Sequence, residues 1–253
     1  MMGAFSLKGK NILITGASSG IGRQCAITCS EMGANVILIA RDVQRLNETM
    51  ARLSTGNHSI YNLDITEYGK IEPLIVSIAN SYEKIDGFIH SAGIELTLPL
   101  RNNKEEIYQK VFSVNVLSGF EFAKVLSHKK YLPEQGASFV FLSSIMGLLG
   151  EAGKVAYCSS KGAVIAGVRA LAIELASKKI RVNSISPAMV ETEMATELFS
   201  KISEESKNEI LKLHPLGIGK PEDVSWACIY LLSEASRWVT GTNLIIDGGY
   251  SAK

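Results

Sequence analysis

The sequence predicts an α/β protein built on a doubly wound parallel sheet of about seven strands with helices on both faces. Three observations carry that expectation. Short runs that are apolar throughout, such as Asn11-Ile-Leu-Ile14 and Val36-Ile-Leu-Ile-Ala40, alternate along the chain with stretches of helical periodicity, the pattern of strands buried on both faces and their crossover helices. The 253 residues are 46% hydrophobic and 20% charged, enough chain for one large core and an ordinary composition for a globular domain. No Pro/Ser linker, repeat or low-complexity segment divides residues 1–253, so they read as one domain. The right-handed rule for parallel crossovers then favours helices on both sides of the sheet.

The first strand, at 11–14, runs into Thr15-Gly16, and a helix follows over 21–32 with Gly33 as its stop. A second strand at 36–40 is paired with a helix at 43–53, a third at 59–63 with a helix from about 67 to 80, and a fourth occupies 85–90. One long amphipathic helix is expected over about 105–129, leading to a strand at 138–143. A glycine-punctuated connection then reaches a helix over about 158–176, small and apolar on much of its surface, with Tyr157 at its head. A sixth strand at 181–186 ends at Pro187. Residues 189–213 are polar, helical in propensity and rich in Glu, Ser and Lys. Lying beyond a strand end, where such sheets bind ligands, they are expected to cover the site; a solvated helical insertion has the same composition. Pro221 opens a further helix in its first turn, and 243–246 form the seventh strand.

A net charge of +1 gives no electrostatic reason to expect nucleic acid or an anionic membrane as partner. No run approaches about 18 apolar residues and residues 1–10 lack a signal-peptide pattern, so a cytoplasmic, unanchored protein is expected. Cys25, Cys29, Cys158 and Cys228 form no CxxC pair and read as packing residues, with no metal site expected. His58, His90, His128 and His214 show no pairing and read as structural.

The chemistry concentrates in two places. Tyr157 and Lys161 stand four residues apart, about 400° of rotation and roughly 6 Å of rise on a helix, so phenol and ammonium share one face. A nearby ammonium favours phenolate, which makes the pair a tunable acid. A serine from the preceding connection, Ser143 or Ser144, can fold back toward it. The second place is Thr15-Gly16-Ala-Ser18-Ser19-Gly20-Ile21-Gly22, between the first strand and its helix. Gly16 permits a tight turn, Gly20 lets a pyrophosphate approach the backbone, and Gly22 permits close helix–strand packing with the helix N-terminus facing the anion. Strand before and helix after supply the context that a Rossmann-type dinucleotide loop requires. At the end of the second strand an acid would hold the ribose hydroxyls of NAD(H); here Ala40 is followed by Arg41, which favours NADP(H). Ser18 and Ser19 can add hydrogen bonds, and Asp42 is the alternative acid that would leave NAD(H) in play.

With the glycine motif, Tyr157-x-x-x-Lys161 and a serine 13 residues before the tyrosine, the chain resembles the short-chain dehydrogenase/reductase family from about residue 8 to residue 250. The resemblance implies Tyr157 as proton donor or acceptor, Lys161 binding the nicotinamide ribose and lowering the phenol's pKa, and Ser144 polarising the substrate carbonyl. It implies Asn115 as holder of a relay water, Asp64 with Ile65 at the adenine pocket, Ser91-Ala92-Gly93 along the cofactor, and Pro187, Val190 and Thr192 around the nicotinamide carboxamide. Three departures stand out: Ser91 where the family has asparagine, Ala188 after Pro187 where it has glycine, and no arginine between Gly217 and Gly219.

The branch most resembled is 3-oxoacyl-[acyl-carrier-protein] reductase. That implies a carbonyl reductase using NADPH in fatty acid biosynthesis, a homotetramer, and a carrier-protein partner for which Lys129, Lys130, Lys178 and Lys179 are candidate contacts, although an ordinary solvated surface is the better reading of these four lysines. A dehydrogenase of a sugar, polyol or steroid is the alternative, disfavoured for sugars by pocket residues that lean apolar: Glu95, Leu96, Met146, Leu148, Leu149 and Met194. A catalytically weak nucleotide-binding regulator is the alternative of another class.

Overall fold

Seven strands form one sheet in the order β3-β2-β1-β4-β5-β6-β7, every pairing parallel, in a computed structural model that describes residues 3–252. The strands are β1 (Asn11–Thr15), β2 (Asn35–Ala40), β3 (Ser59–Asn62), β4 (Gly87–His90), β5 (Ala137–Leu142), β6 (Ile180–Pro187) and β7 (Asn243–Ile246). The helices are α1 (Gly20–Glu31), α2 (Val43–Met50), α3 (Ile71–Tyr82), α4 (Glu105–Phe112), α5 (Ser118–Leu126), α6 (Val155–Leu175), α7 (Glu193–Phe199), α8 (Glu204–Lys212) and α9 (Pro221–Leu232). The chain winds outward from β1 toward β3, then restarts at β4 on the other side. The crevice at the C-terminal ends of β1 and β4 is thus the switch point where such sheets bind ligands.

Alternation along each strand divides the core in two. Leu13, Phe88, Phe139 and Phe141 face one layer, formed by α3, α5 and α6. Ile12, Ile14, Ile89 and Val140 face the other, formed by α1 and α9. In Phe139-Val140-Phe141 the large rings and the small valine therefore point to opposite faces, as a period of two requires. Cys25 and Cys228 lie in the second layer with their sulfurs 3.6 Å apart, both free thiols. Among the described residues no helix is long and apolar enough to cross a membrane.

The structure departs from the expected helices in three places and folds the helical stretch at 189–213 as two helices. The long helix at 105–129 is two helices, because Ser113–Leu117 between α4 and α5 winds as a π-turn. The wider turn moves Asn115 to where both faces of its amide find partners. The helix expected from 67 starts at Ile71, since Asp64 Oδ1 accepts the Thr66 amide at 3.0 Å and a 3₁₀ turn at Tyr68–Lys70 follows. The helix expected over 43–53 ends at Met50. Residues 189–213 fold as α7 and α8, each capped by a hydroxyl: Thr192 Oγ1 accepts Ala195 N at 3.4 Å, and Ser203 Oγ accepts Ser206 N at 3.2 Å.

Candidate active site

β5 ends at Leu142, and the next two serines part company. Ser143 Oγ donates to Lys161 O at 2.8 Å and so ties the loop to α6. Ser144 Oγ accepts Met146 N at 3.2 Å, opening a 3₁₀ turn, and lies beside the Tyr157 phenol. The structure thereby separates two residues that residue chemistry alone left equivalent: one staples the loop, and the other reaches the phenol.

Lys161 Nζ donates to Leu142 O at 2.8 Å and stands 5.7 Å from the centre of the Tyr157 ring. Burial pulls the lysine's pKa down to about 8, with Glu95 opposing. Burial pushes the Tyr157 phenol above its ordinary value and Glu95 adds to this, while the Ser144 hydroxyl works the other way. The phenol is therefore a neutral acid here, not the phenolate that the lysine alone would favour.

Asn115 is 1% exposed. Its Oδ1 accepts Ile94 N at 2.8 Å, and its Nδ2 donates to Ile94 O at 3.0 Å and to Ser160 Oγ at 3.0 Å. Ser160 Oγ donates in turn to Tyr157 O at 2.7 Å. The amide thus clamps the loop after β4 to the helix carrying the phenol. A Cβ on Gly93 would stand 3.4 Å from both Asn115 Oδ1 and Lys161 Nζ, so glycine keeps the space between them open. His90 is buried, Thr15 Oγ1 lies 2.9 Å from its Nδ1, and burial with the nearby Lys161 charge takes its pKa to about 3; it is a neutral structural residue, as expected.

At the switch point, Gly16 has φ +70° and a Cβ there would lie 2.7 Å from Ala92 N. A Cβ on Gly22 would lie 2.2 Å from Gly16 O, so α1 packs on the loop at backbone contact. Ser19 is the extended N-cap residue of α1 and makes no side-chain cap bond, Ser18 O accepts Arg23 Nη2 at 2.5 Å, and Ser91 N donates to Thr15 O at 3.3 Å. Ile21, Pro187, Val190 and Thr192 line the cavity that also holds Ser144 and Tyr157, about 700 Å³ in volume. Of the residues expected in the pocket, Glu95, Leu96, Met146 and Met194 line it. Leu148 and Leu149 instead stand out from the surface, 45% and 37% exposed.

The loop suits an anion, and one already lies on it. Glu193 Oε2, from the first turn of α7, accepts Gly20 N at 3.1 Å, while Oε1 meets Arg45 at 2.8 Å and Arg23 at 4.0 Å. A carboxylate thus sits where the N-terminus of α1 would present its amide to a pyrophosphate, and the glycine-only approach at Gly16 and Gly20 fits a dinucleotide. At the adenosine end Arg41 is 73% exposed at its side chain and 3.6 Å from Asp64. Asp64 has its pKa lowered, first by the Thr66 amide and also by Arg41, and Ile65 behind it is buried. Asp42 caps α2, its Oδ1 accepting Arg45 N at 3.0 Å.

Sequence reasoning did not foresee Glu193, Arg45 and Arg23, nor a charged cluster at the pocket wall. There Lys154 Nζ lies 2.8 Å from Glu95 Oε1 and 3.1 Å from Glu151 Oε2. Burial lowers the Lys154 pKa, but the two carboxylates outweigh it and the net shift is upward. The only local signal was the i,i+3 spacing of Glu151 and Lys154. Lys129, Lys130, Lys178 and Lys179, the candidate carrier-protein contacts, do not flank the site and fit the solvated-surface reading better. Lys179 immediately precedes β6, and Tyr131, the residue after Lys130, accepts Ile85 N at 2.8 Å just before β4. All four thus belong to the N-terminal edge of the strands, across the sheet from Ser144.

The family model described as enoyl-(acyl carrier protein) reductase matches residues 16–251. An NAD-dependent glycerol dehydrogenase of Listeria innocua is 33% identical over 252 residues, covering 98% of this chain and 96% of the relative. A 3-oxoacyl-[acyl-carrier-protein] reductase of Thermotoga maritima is 34% identical over 248 residues, covering 96% and 98%. Among solved structures, a 7α-hydroxysteroid dehydrogenase in complex with NADH and 7-oxoglycochenodeoxycholic acid superposes with a TM-score of 0.91 at 28% identity over 97% of this chain and 96% of that one. A short-chain type dehydrogenase/reductase from Mycobacterium ulcerans does so with a TM-score of 0.90 at 27% identity, over 98% and 92%. With a dinucleotide loop at the switch point, a serine, tyrosine and lysine gathered beside it, and relatives matched from end to end, the chain belongs to the short-chain dehydrogenase/reductase family of NAD(P)-dependent oxidoreductases.

Proposed function

We propose that the chain interconverts a carbonyl and an alcohol with NADP(H), on a free small molecule held between Tyr157 and the α7–α8 cover. The observation that carries this is the meeting of Ser144 and Tyr157 at one cavity wall, with Lys161 fixed behind them on Leu142 O. When bound, the nicotinamide supplies or accepts the hydride. In the reducing direction Tyr157, held neutral by burial, gives its proton to the substrate oxygen while the Ser144 hydroxyl donates a hydrogen bond to it. The Lys161 ammonium then steadies the phenolate left behind. The α7–α8 cover excludes water from the cavity that Met194, Leu198 and Leu213 help to line.

NADP(H) is favoured because Arg41 offers an exposed guanidinium at the end of β2 while Asp42 is spent on the α2 cap. The NAD dependence of the Listeria relative is the competing indication. A free substrate is favoured because residues 189–213 hold six glutamates and three lysines, an acidic cover that would repel an acidic carrier protein. A second reading, reduction of a 3-oxoacyl group on acyl carrier protein, is supported by the apolar part of the lining and by the Thermotoga relative.

The test is turnover of a panel of ketones, 3-oxoacyl thioesters and polyols with NADPH and NADH. Tyr157→Phe is expected to lower kcat by about 10²–10⁴ while cofactor still binds. Cofactor binding without turnover, unaltered by the substitution, would favour a regulatory protein. A lower KM for NADH than for NADPH, unchanged in Arg41→Ala, would sink the argument from Arg41.

A further inference from the structure

The wall of the cavity beside Tyr157 carries buried charge. Lys154 precedes α6, one turn ahead of Tyr157, and its side chain is 9% exposed between Glu95, 20% exposed, and Glu151, 47% exposed. Two carboxylates about one ammonium leave a net negative charge on this wall. With Oε1 on Lys154, the Glu95 carboxylate keeps Oε2 to accept from a second donor. The backbone that carries Glu95 is pinned, since the neighbouring Ile94 is held at both N–H and C=O by the Asn115 amide. Glu95 lines the same cavity as Ser144 and Tyr157, and its charge raises the pKa of both Tyr157 and Lys161.

A second acceptor comes from the cover side of the same cavity. His214 is 5% exposed, and its Nδ1 lies 2.8 Å from Ile210 O. A carbonyl only accepts, so Nδ1 carries a proton, and in this tautomer Nε2 is the acceptor. That Nε2 is buried with no partner among the described residues, and the ring is held 4.9 Å from that of Tyr250. An acceptor left unmet in a buried place is costly, which points to a donor arriving with a ligand.

Acceptors select donors. An acyl chain has none, and a carboxylate or phosphate would be repelled by the wall; a hydroxyl group satisfies both positions. We propose that Glu95 and His214 are specificity-determining residues that select a substrate bearing hydroxyl groups near the reacting carbon, a polyol or hydroxylated ketone, over the matched compound without them. This rests on the reading of Ser144, Tyr157 and Lys161 as a carbonyl/alcohol site.

The experiment compares kcat/KM for an α-hydroxy ketone and the simple ketone of the same skeleton, and for the matching vicinal diol and simple alcohol, with NADPH and NADH. Wild type is expected to prefer the hydroxylated member by about tenfold or more. Glu95→Leu and His214→Phe should each cut that preference by about tenfold, mainly through KM, and Glu95→Gln should restore part of it. The ratio is insensitive to a general loss of activity: a structural defect, or an altered field at Tyr157, lowers both members alike. An unchanged ratio in the variants, or a wild type without preference, overturns the proposal. Should Glu95→Leu fail to fold, as judged by circular dichroism, the ratio in Glu95→Gln and His214→Phe decides. A wild type that turns over no member of either pair with either cofactor refutes the reading of the catalytic residues, and the proposal with it.

Discussion

Lys161 is a cation enclosed by the fold, and that enclosure should be readable as a pH dependence of stability. In the unfolded chain its ammonium loses a proton near 10.5, in the folded protein near 8. Between those values the unfolded chain binds more protons, so this group makes the protein more stable as pH rises; below 8 the penalty is fully present. The interval corresponds to about 3 kcal/mol, an upper bound because the 2.8 Å bond to Leu142 O favours the charged form. Lys161→Met keeps the length of the side chain and removes the charge. Near pH 7 the variant should be at least as stable as wild type while losing most of its turnover, and wild type should gain on it by up to about 3 kcal/mol as pH rises from about 8 to about 10. Tyr157, raised in the fold, pulls stability the other way above its unfolded value of 10, and the buried thiols Cys29 and Cys228, raised above 9.0, do so inside the window. They act alike in both proteins, so the difference between wild type and variant isolates the lysine. Urea unfolding at fixed protein concentration and ionic strength, repeated across the window, measures the difference. A difference that stays flat would refute the buried-cation argument.

Two further substitutions probe the cofactor loop. Glu193→Gln removes the carboxylate that occupies Gly20 N, and NADPH, titrated by fluorescence, should bind about threefold to tenfold more tightly; weaker binding would mean that the tie to Arg45 holds the loop in shape. Gly22→Ala places a Cβ 2.2 Å from Gly16 O and should cost about 2 kcal/mol or more in thermal unfolding along with cofactor affinity; an unaltered Tm would show that α1 can retreat from the loop.

β1, β2, β4, β5 and β6 were legible because they are buried on both faces and so read as short apolar runs bounded by turns, whereas the edge strands β3 and β7 are only partly buried. Tyr157 and Lys161 were legible because one helical turn brings them together, and the glycine motif because three glycines meet three distinct backbone demands. What the sequence concealed depends on distance along the chain. Glu193 meets Gly20 across 173 positions, and Glu95 and Lys154 come from loops that no local pattern relates. The lysines at 129–130 and 178–179 looked like candidates for the entrance because charge is visible in a sequence, whereas the edge of the sheet that carries it is not. Residue type alone could not separate Ser143 from Ser144; the resemblance pointed to Ser144, and the Lys161 carbonyl claims Ser143.

The π-turn at Ser113–Leu117 shows how such hidden relations reach the chemistry. An α-helix continued through this segment would satisfy the backbone better and is what the amphipathic pattern suggests. It would also turn Asn115 away from the position where one amide binds Ile94 on both sides and Ser160 besides. A buried amide without partners would cost more than the irregular turn, so the helix yields. The consequence runs outward from one side chain: through Ser160 it holds the carbonyl of Tyr157, and through Ile94 it fixes Glu95 beside the pocket. The proton donor and the proposed hydroxyl-selecting carboxylate are therefore set against each other by the same amide, so a change that regularised the helix would disturb catalysis and substrate choice together.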